Sequence, residues 1–389
     1  MKLQCGKCGR TTSNLVQGRT TCSYCGGYWE LSYQSKVVFQ PWSRGDGLQT
    51  FAEALPPIPL TYRSLGEGNT PLIDLCSDGL NLPCGSHILI KNETMNPTGS
   101  FKDRFAVING AVARNLGASG IVCASTGNAA MAAVAYAHAN DLESAVMLPH
   151  STPQTLVDVL KVMGAEVDFC SWEDSSEAIR PYVDKGWFPA TGMTAFPVAT
   201  QFGAEGYKTI AYEIIRDLQE GIPDVIAIPV GGGDLLYGVI KGLCELRDQG
   251  LIPRIPHILA CQADLAAPLV QAHAQGLTEV RRIDTAGSMA ASINETSTGQ
   301  HALDALRKVD GWSISVSEEE IMNAASFLTH RGILAELASS ASLAGVIKAV
   351  RDTVIVDQTR IVCIITGSLL KWNDALTRLA ERAEKSKAD

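Results

Sequence analysis

The segment Lys91-Asn-Glu-Thr-Met-Asn-Pro-Thr-Gly-Ser-Phe-Lys102-Asp-Arg104 follows an apolar run, turns at Asn-Pro and at Gly99, and enters an amphipathic stretch. The pattern predicts a strand, a tight turn and a helix, with Thr98 or Ser100 as the N-cap and Lys102 in the first helical turn. The positive end of the helix dipole there favours the neutral amine, which is the form that reacts with carbonyl groups. The alternative is an ordinary solvated lysine, and the motifs elsewhere in the sequence are needed to choose between the two interpretations.

Short β-branched runs alternate with longer amphipathic stretches from Gly66 onward. The predicted strands are 87–91, 120–124, 144–148, 224–230, 257–260 and 360–366, and the predicted helices are 104–116, 129–139, 155–163, 209–218 and 235–246. This alternation is typical of an α/β fold with mostly parallel sheets. Because ligands collect where parallel strands end and helices begin, chemistry is expected at those junctions.

Three further strand ends carry unusual residues. Ser125-Thr-Gly-Asn128 can bind a planar ring or a carboxylate, although a plain N-cap with a tight turn explains it equally well. Val230-Gly-Gly-Gly233-Asp-Leu lets backbone amides converge on a phosphate, and it lacks the Lys-Ser or Lys-Thr of a nucleoside-triphosphate loop. Thr366 ends the last strand with a hydroxyl. With Lys102, these are the parts needed to hold pyridoxal phosphate (PLP).

Four motifs resemble those of threonine synthases, within the fold-type II (tryptophan synthase β-like) PLP enzymes. They are Gly66-Glu-Gly-Asn-Thr-Pro-Leu72, Asn96-Pro-Thr-Gly-Ser-Phe-Lys-Asp-Arg104, Ser125-Thr-Gly-Asn128 and Gly231-Gly-Gly233. The resemblance runs from about Gly66 to Lys371 and implies two parallel-sheet α/β subdomains. An amino-terminal cysteine ribbon is likewise seen in some threonine synthases.

The resemblance also implies a role for each site residue. Toward the cofactor, it gives Lys102 the covalent bond and the proton transfers, Asn128 the 3-oxygen, Thr366 the pyridine nitrogen, and Gly231, Gly232, Gly233, Asp234 and Leu235 the phosphate. Phe101 would pack beside the ring, with simple core packing as the alternative. Toward an amino-acid substrate, it gives Ser125, Thr126 and Gly127 the α-carboxylate. Lys208 and Arg104 are our candidates for the substrate's phosphate, and an ordinary ion pair is the alternative for each.

Cys5-Gly-Lys-Cys8 and Cys22-Ser-Tyr-Cys25, with 13 residues between the pairs, have the spacing of a zinc ribbon. The pattern predicts a structural Zn²⁺ held by all four thiolates, and a ribbon that binds metal weakly or not at all is the alternative. Four cysteines leave no open position for catalysis. We expect a ribbon-like module at 1–35, a linker at 36–62 and a PLP-binding catalytic region at 63–389, with a smaller subdomain inserted at about 105–205.

Composition narrows the classes of protein that fit. The chain has 389 residues, and 32 Lys plus Arg against 41 Asp plus Glu give a net charge of −9, which disfavours nucleic acid as a partner. No apolar run approaches the length of roughly 20 residues that a bilayer span needs, and no secretory signal is recognisable. We expect a soluble, cytoplasmic protein without a membrane partner, and the family resemblance favours a homodimer.

Two segments depart from the threonine synthase pattern. Glu205-Gly-Tyr-Lys208-Thr209 keeps the family's Glu-Gly-x-Lys-Thr, but the Asn-Pro-x-Arg that should precede it has Phe196 for the asparagine and no arginine between Pro197 and Glu205. In Thr366-Gly-Ser-Leu-Leu-Lys-Trp372 a glycine of the family becomes Leu369 and an acid becomes Trp372. We expect both changes to alter a pocket wall.

The implied activity is therefore that of a PLP-dependent lyase. It would eliminate phosphate from the γ-carbon of O-phosphohomoserine and add water at the β-carbon to give threonine. The departures leave open a β-elimination or β-replacement on a serine-, phosphoserine- or diaminopropionate-like amino acid. A non-catalytic scaffold carrying the ribbon is the alternative outside enzymes.

Overall fold

The structure, a computed structural model, describes most of the chain. The described residues are 1–13, 21–39, 46–57, 63–76, 78–80, 82–83, 85–125, 127–171, 173–191, 200–218, 221–285, 287–356 and 359–388.

These residues form strands, α-helices and short 3₁₀ helices. The strands are β1 (Lys2–Cys5), β2 (Thr11–Thr12), β3 (Trp29–Ser32), β4 (Leu72–Leu75), β5 (His87–Asn92), β6 (Gly120–Ala124), β7 (Glu143–Leu148), β8 (Glu166–Phe169), β9 (Phe188–Pro189), β10 (Val225–Pro229), β11 (His257–Ala263), β12 (Trp312–Val316) and β13 (Arg360–Ile365). The α-helices are α1 (Lys102–Asn115), α2 (Asn128–Ala139), α3 (Gln154–Val162), α4 (Ser175–Asp184), α5 (Gly203–Asp217), α6 (Asp234–Asp248), α7 (Pro268–Ala274), α8 (Gln300–Lys308), α9 (Glu318–His330), α10 (Leu337–Arg351) and α11 (Asn373–Ala388). The 3₁₀ helices are Gly47–Ala54, Glu93–Met95, Asp264–Ala266, Ala291–Ile293 and Leu369–Lys371.

The first of two compact units comprises Met1–Asn69, Asn96–Arg216 and Tyr237–Pro253. Its amino-terminal sheet is antiparallel, with the order β2-β1-β3, and carries the cysteine pairs. Its larger sheet is parallel, with the order β8-β7-β6-β9. The alanine-rich α2 packs closely on α1, β6 and β7 because its buried positions are mostly small side chains. The end of β6 therefore leads directly into a buried helix start.

The second unit comprises Thr70–Met95, Asp217–Leu236 and Arg254–Asp389. Its sheet has the order β12-β11-β10-β13-β5-β4, in which β4 is antiparallel to β5 and the other pairs are parallel. Helix α10 packs across β10 to β13, and its apolar side chains join the buried core of this unit. In the register of β10 and β13, Ala227 lies opposite Cys363. The glycine turn after β10 and Thr366 after β13 therefore leave the same sheet edge.

The predicted α/β class with parallel sheets is confirmed in both units. Strand β6 has the predicted bounds, and the other five predicted strands are found with ends shifted by at most three residues. Buried parallel strands are easy to recognise because both faces are apolar. Among the described residues, no helix is both long enough and apolar enough to span a bilayer.

Candidate active site

Lys102 is the first residue of α1, as the sequence predicts for the first turn. The predicted N-cap is wrong, because Phe101 precedes the helix and no side chain caps it. Instead, Asp103 accepts hydrogen bonds from Thr98, at 2.8 Å from its Oγ1 and 3.2 Å from its backbone nitrogen. The Ser100 hydroxyl is buried and makes no hydrogen bond in the described structure. The Asp103 carboxylate thus holds the turn that positions Lys102.

Aromatic rings surround the Lys102 amine. Its Nζ lies 4.5 Å from the ring centroid of Phe101, 5.7 Å from that of Tyr207 and 6.0 Å from that of Phe105. The Phe101 and Tyr207 centroids are 5.0 Å apart, so Phe101 packs against protein from one side. Such rings exclude water from part of the amine's surroundings while leaving it half-exposed. This is a setting in which a lysine can act as a nucleophile and a base.

The Ser125 junction lies in the same unit as Lys102. Burial raises the pKa of the Cys123 thiol in β6 to about 12, and the Lys102 charge acts on that pKa in the opposite direction. Gly127 donates its backbone N–H to Ser125 Oγ at 3.3 Å, and the buried Asn128 begins α2. The cap residue of α2 is Gly127, which has no side chain to bond the helix, and first-turn amides suit an anionic group such as a carboxylate. Thr126 lies outside the described residues.

The glycine turn between β10 and α6 can be built only from glycine. Gly233 has φ +102°, and a Cβ there would lie 2.5 Å from Ala302 Cβ and 2.9 Å from Thr298 Cγ2. A Cβ at Gly231 would lie 3.2 Å from Ile293 Cα. The turn is also fixed by hydrogen bonds, since Thr298 Oγ1 donates to Gly231 O at 2.9 Å. A glycine turn at the start of a helix presents backbone N–H groups of the kind that can bind a phosphate.

The side chains of Asp234 and Leu235, which follow the glycine turn, have different surroundings. Leu235 is buried in the second unit. Asp234 places its Oδ1 2.9 Å from Nε2 of His301, and both side chains are almost fully buried. The carboxylate of Asp234 is thus directed to an imidazole. Any contact of Asp234 with a phosphate is therefore expected from its backbone N–H.

Thr366, directly after β13, is held by a serine that the sequence analysis did not single out. Ser339 Oγ on α10 lies 2.8 Å from Thr366 Oγ1 and also accepts the backbone N–H of Thr366 at 3.0 Å. Both residues are buried. Ser339 stands in an alanine- and serine-rich helix, and nothing in that composition marks it before the fold is known.

The structure places Arg104, a candidate for the substrate's phosphate, in a buried ion pair. Its side chain is fully buried and makes a bidentate ion pair with Glu213, with Nη1–Oε1 at 2.6 Å and Nη2–Oε2 at 2.7 Å. Nη1 also donates to Thr209 Oγ1 at 2.8 Å. A guanidinium paired in this way with a buried carboxylate joins α1 to α5.

Lys208, the second candidate for the substrate's phosphate, also lies in buried ion pairs. Its Nζ is fully buried and lies 2.8 Å from Glu205 Oε2, 3.1 Å from Glu245 Oε1 and 2.6 Å from Tyr33 Oη. Lys241 pairs with the other oxygen of Glu205. Burial alone would raise the pKa of Glu205, but the charges of Lys208 and Lys241 hold it at about 2. Two carboxylates thus neutralise Lys208 within a buried network.

The glycine of Glu205-Gly-Tyr-Lys208-Thr209 has a packing role. A Cβ at Gly206 would lie 1.9 Å from the carbonyl oxygen of Arg104, so α5 can approach α1 this closely only with glycine. The five-residue motif therefore provides a helix contact through Gly206 and three ion pairs through Glu205 and Lys208.

Of the two segments that depart from the family pattern, only the second is described in full by the structure. Phe196 and Pro197 lie outside the described residues. Leu369 belongs to the buried core of the second unit, and the indole N–H of Trp372 donates to the carboxylate of the buried Glu336. The described contacts of Leu369 and Trp372 therefore connect the segment after β13 to the start of α10.

The four amino-terminal cysteines converge as the spacing predicts. The sulfur atoms of Cys5, Cys8, Cys22 and Cys25 all lie within 4.8 Å of one another. Each pair forms the same turn, in which a glycine N–H donates to the carbonyl of the first cysteine, at 2.9 Å from Gly9 and 2.8 Å from Gly26. Both glycines have φ +70°. Four sulfurs in this arrangement match the ligand set of a structural zinc site.

Comparison with known proteins defines the class first. Residues 63–367 match the family described as "Pyridoxal-phosphate dependent enzyme". The chain belongs to this family of PLP-dependent enzymes, with the fold-type II architecture. Within that class it is threonine synthase-like. It is 32% identical to the threonine synthase of Methanocaldococcus jannaschii, over 100% of this chain and 97% of that protein. It is 34% identical to the threonine synthase of a Bacillus species, over 84% of this chain and 90% of that protein.

Solved structures support the same fold. Threonine deaminase isoform 2 from Solanum lycopersicum has a TM-score of 0.68 and 21% identity, covering 80% of this chain and 87% of that one. Diaminopropionate ammonia lyase from Escherichia coli has a TM-score of 0.69 and 18% identity, covering 82% of this chain and 88% of that one. At these identities the likeness concerns the fold.

The residues present fit the family's cofactor. The turn at Gly231 and Gly233 packs so closely on Ile293 and Ala302 that side chains there would crowd these neighbours, and the partly exposed Lys102 places its amine among aromatic rings. A phosphate and an aldehyde are the two groups of PLP that such parts recognise.

Proposed function

We propose that the protein converts O-phosphohomoserine and water into threonine and phosphate. The observation that carries the proposal is the identity of 32% with a threonine synthase over 100% of this chain and 97% of that protein. The Lys102 junction and the glycine turn support it because each suits one group of the cofactor. An enzyme acting on a small amino acid is the coarser statement that the family already establishes.

The roles proposed for this chain's residues are those that the family resemblance implies. PLP, when bound, withdraws electrons from the substrate and acidifies its carbon-bound hydrogens. Lys102 holds the cofactor covalently, and its Nζ removes the α-proton and returns protons later in the reaction. Phe101 lies beside the ring, Asn128 contacts the 3-oxygen, and Thr366 faces the pyridine nitrogen. The backbone of Gly231 to Leu235 holds the cofactor phosphate.

Substrate recognition is proposed at the start of α2. Ser125, Thr126 and Gly127, with the first-turn amides of the helix, bind the α-carboxylate. The overall reaction breaks the bond from the γ-carbon to the phosphate oxygen and forms a carbon–oxygen bond from water at the β-carbon. The proton balance is met by transfers through Lys102, which sits at the helix start where a base can be held close to the substrate.

A second candidate is elimination or replacement at the β-carbon of a serine-, phosphoserine- or diaminopropionate-like amino acid. The observation that favours it is the neutralisation of Arg104 by Glu213 and of Lys208 by Glu205 and Glu245. Both cations expected at the substrate phosphate are thus engaged elsewhere. A substrate without a γ-phosphate has no need of them.

Product analysis separates the two candidates. The PLP-loaded protein is mixed with O-phospho-L-homoserine, and threonine and phosphate are measured together against an enzyme-free reaction. We expect the two products in equal amounts. Parallel reactions with serine, O-phosphoserine and diaminopropionate are assayed for keto acid and ammonia. Keto acid and ammonia from one of these, with no threonine from the first substrate, would replace the proposal by the second candidate.

We also propose that Cys5, Cys8, Cys22 and Cys25 bind one structural Zn²⁺. A backbone hydrogen bond from Tyr24 lowers the pKa of Cys22 to about 7, whereas burial raises that of Cys5 to about 12. A metal ion would supply the positive charge that keeps all four thiolates deprotonated.

Metal analysis by mass spectrometry tests the zinc proposal. We expect one zinc per chain in the purified protein and background zinc after Cys8→Ser, because the loss of one of four thiolates opens the site. Cys76→Ser is the matched control, since Cys76 is exposed and lies outside the cluster. The proposal fails if the unaltered protein, purified without chelator, holds no zinc or if both variants keep it.

A further inference from the structure

Ser339 occupies the centre of a hydrogen-bond network at the end of β13. Its Oγ lies 3.0 Å from Thr366 N, 2.8 Å from Gly367 N and 2.8 Å from Thr366 Oγ1. Gly367 O lies 3.2 Å away. The Ser339 side chain is fully buried, so no water competes for these contacts. All of its hydrogen bonds therefore have to be made to this turn.

The direction of the bond between the two hydroxyls can be assigned by counting. A serine hydroxyl has one proton to donate and two lone pairs that accept. The N–H groups of Thr366 and Gly367 both donate to Ser339 Oγ and use both lone pairs. The Thr366 hydroxyl therefore cannot donate to Ser339 as well. The Ser339 proton has to go to an acceptor.

Two acceptors are within reach, and the nearer one is Thr366 Oγ1 at 2.8 Å. The other, Gly367 O, is 3.2 Å away and already accepts the backbone N–H of Glu336 at 3.0 Å. Ser339 thus donates to Thr366. As a result, the proton of Thr366 points away from α10.

We propose that Ser339 is a positioning residue that makes Thr366 a hydrogen-bond donor to the pyridine nitrogen of PLP. This inference rests on the proposed place of Thr366 at that nitrogen. A donor there pairs with the lone pair of an unprotonated nitrogen, whereas a carboxylate would stabilise the protonated form. Ser339 therefore sets the protonation state of the ring without touching it.

The test uses PLP labelled with ¹⁵N at the ring nitrogen and bound to the full-length protein. Ser339→Ala is compared with Ser340→Ala, which removes an equally buried hydroxyl of α10 that donates to Glu336 O at 3.1 Å. Thr366→Val provides the reference without a donor. We expect the ¹⁵N signal of Ser339→Ala to move from the wild-type position toward that of Thr366→Val, and Ser340→Ala to leave it in place. PLP affinity should fall about three- to tenfold in Ser339→Ala, the range for one hydrogen bond.

Thermal unfolding of the PLP-free variants separates a positioning role from a structural one. Ser339→Ala should lose more stability than Ser340→Ala, because it leaves the N–H groups of Thr366 and Gly367 without their acceptor, and only Ser339→Ala should move the ¹⁵N signal. An unchanged signal in Ser339→Ala, or an equal movement in Ser340→Ala, overturns the inference. If Ser339→Ala does not fold, Ser339→Cys keeps a weak donor and acceptor and should give an intermediate signal, while an unchanged one overturns the inference.

The inference and the proposed function can fail separately. If Thr366→Val leaves the signal unchanged, Thr366 is not at the ring nitrogen and the role of Ser339 is overturned with it. Threonine formation is measured independently of this signal. A protein that makes threonine with an unchanged Thr366→Val signal keeps its function and loses only this inference.

Discussion

Replacing Lys102 with alanine is expected to abolish turnover of the amino-acid substrate. The side chain supplies both the covalent attachment of PLP and the proton transfers, and a positioned base alone contributes about 10²- to 10⁴-fold in rate. The measurement is the rate of product formation at saturating PLP, together with the visible absorbance of the bound cofactor. We expect the rate to fall by at least the contribution of the base and the absorbance of attached PLP to disappear.

Lys161→Ala is the matched control for Lys102→Ala. Lys161 lies in the last turn of α3, is exposed, and has no part in the proposed site. Its variant should keep wild-type rate and absorbance. If Lys102→Ala behaved like Lys161→Ala, Lys102 would not be the residue that holds PLP, and the proposed mechanism would have to be abandoned.

Glu213→Gln is expected to cause the largest loss of stability. Arg104 is fully buried and its guanidinium is paired with both oxygens of Glu213. Removing one charge of a buried pair leaves the other uncompensated, which costs about 3–5 kcal/mol in the free energy of unfolding. The measurement is urea unfolding of the PLP-free protein, in which the midpoint should fall while the slope stays the same.

Two comparisons make the result for Glu213 interpretable. Asp248→Asn breaks the ion pair of Arg247 and Asp248 at the surface and should cost no more than about 1 kcal/mol. The double variant Arg104→Met with Glu213→Leu removes both buried charges and should recover most of the lost stability. A loss for Glu213→Gln no larger than that for Asp248→Asn would show that the buried pair does not join α1 to α5 energetically.

Sequence patterns predicted the elements that are buried on both faces. Strands such as β6 and β13 are continuous apolar runs between turn residues, and the helices after them are long. Strand β8 and strand β12 were not predicted. Each is short and mixes polar with apolar residues, so neither stands out from the surrounding loops.

Whether an ion pair can be predicted from the sequence depends on how far apart its two residues lie along the chain. Glu205 and Lys208 are three residues apart on one helix, a spacing from which their ion pair could have been predicted. Arg104 and Glu213 are brought together by the packing of α1 on α5, and no local pattern connects them. The prediction of Thr98 as the N-cap of α1 was wrong for a related reason. The Thr98 hydroxyl donates a hydrogen bond to the Asp103 side chain instead of accepting one from a helix N–H group.

The buried network around Lys208 also affects how the stability of the protein responds to ionic strength and pH. Tyr33, just after the amino-terminal sheet, donates to Glu205 and accepts from Lys208 in this network. Salt screens exposed charges and reaches buried ones poorly, so high ionic strength should leave this attachment intact. The pKa of Glu205, held at about 2, gives the network stability that is complete above the ordinary carboxyl range and is lost only as the pH falls toward that value. The amino-terminal sheet is thereby attached to α5 by contacts that persist at high ionic strength and at mildly acidic pH.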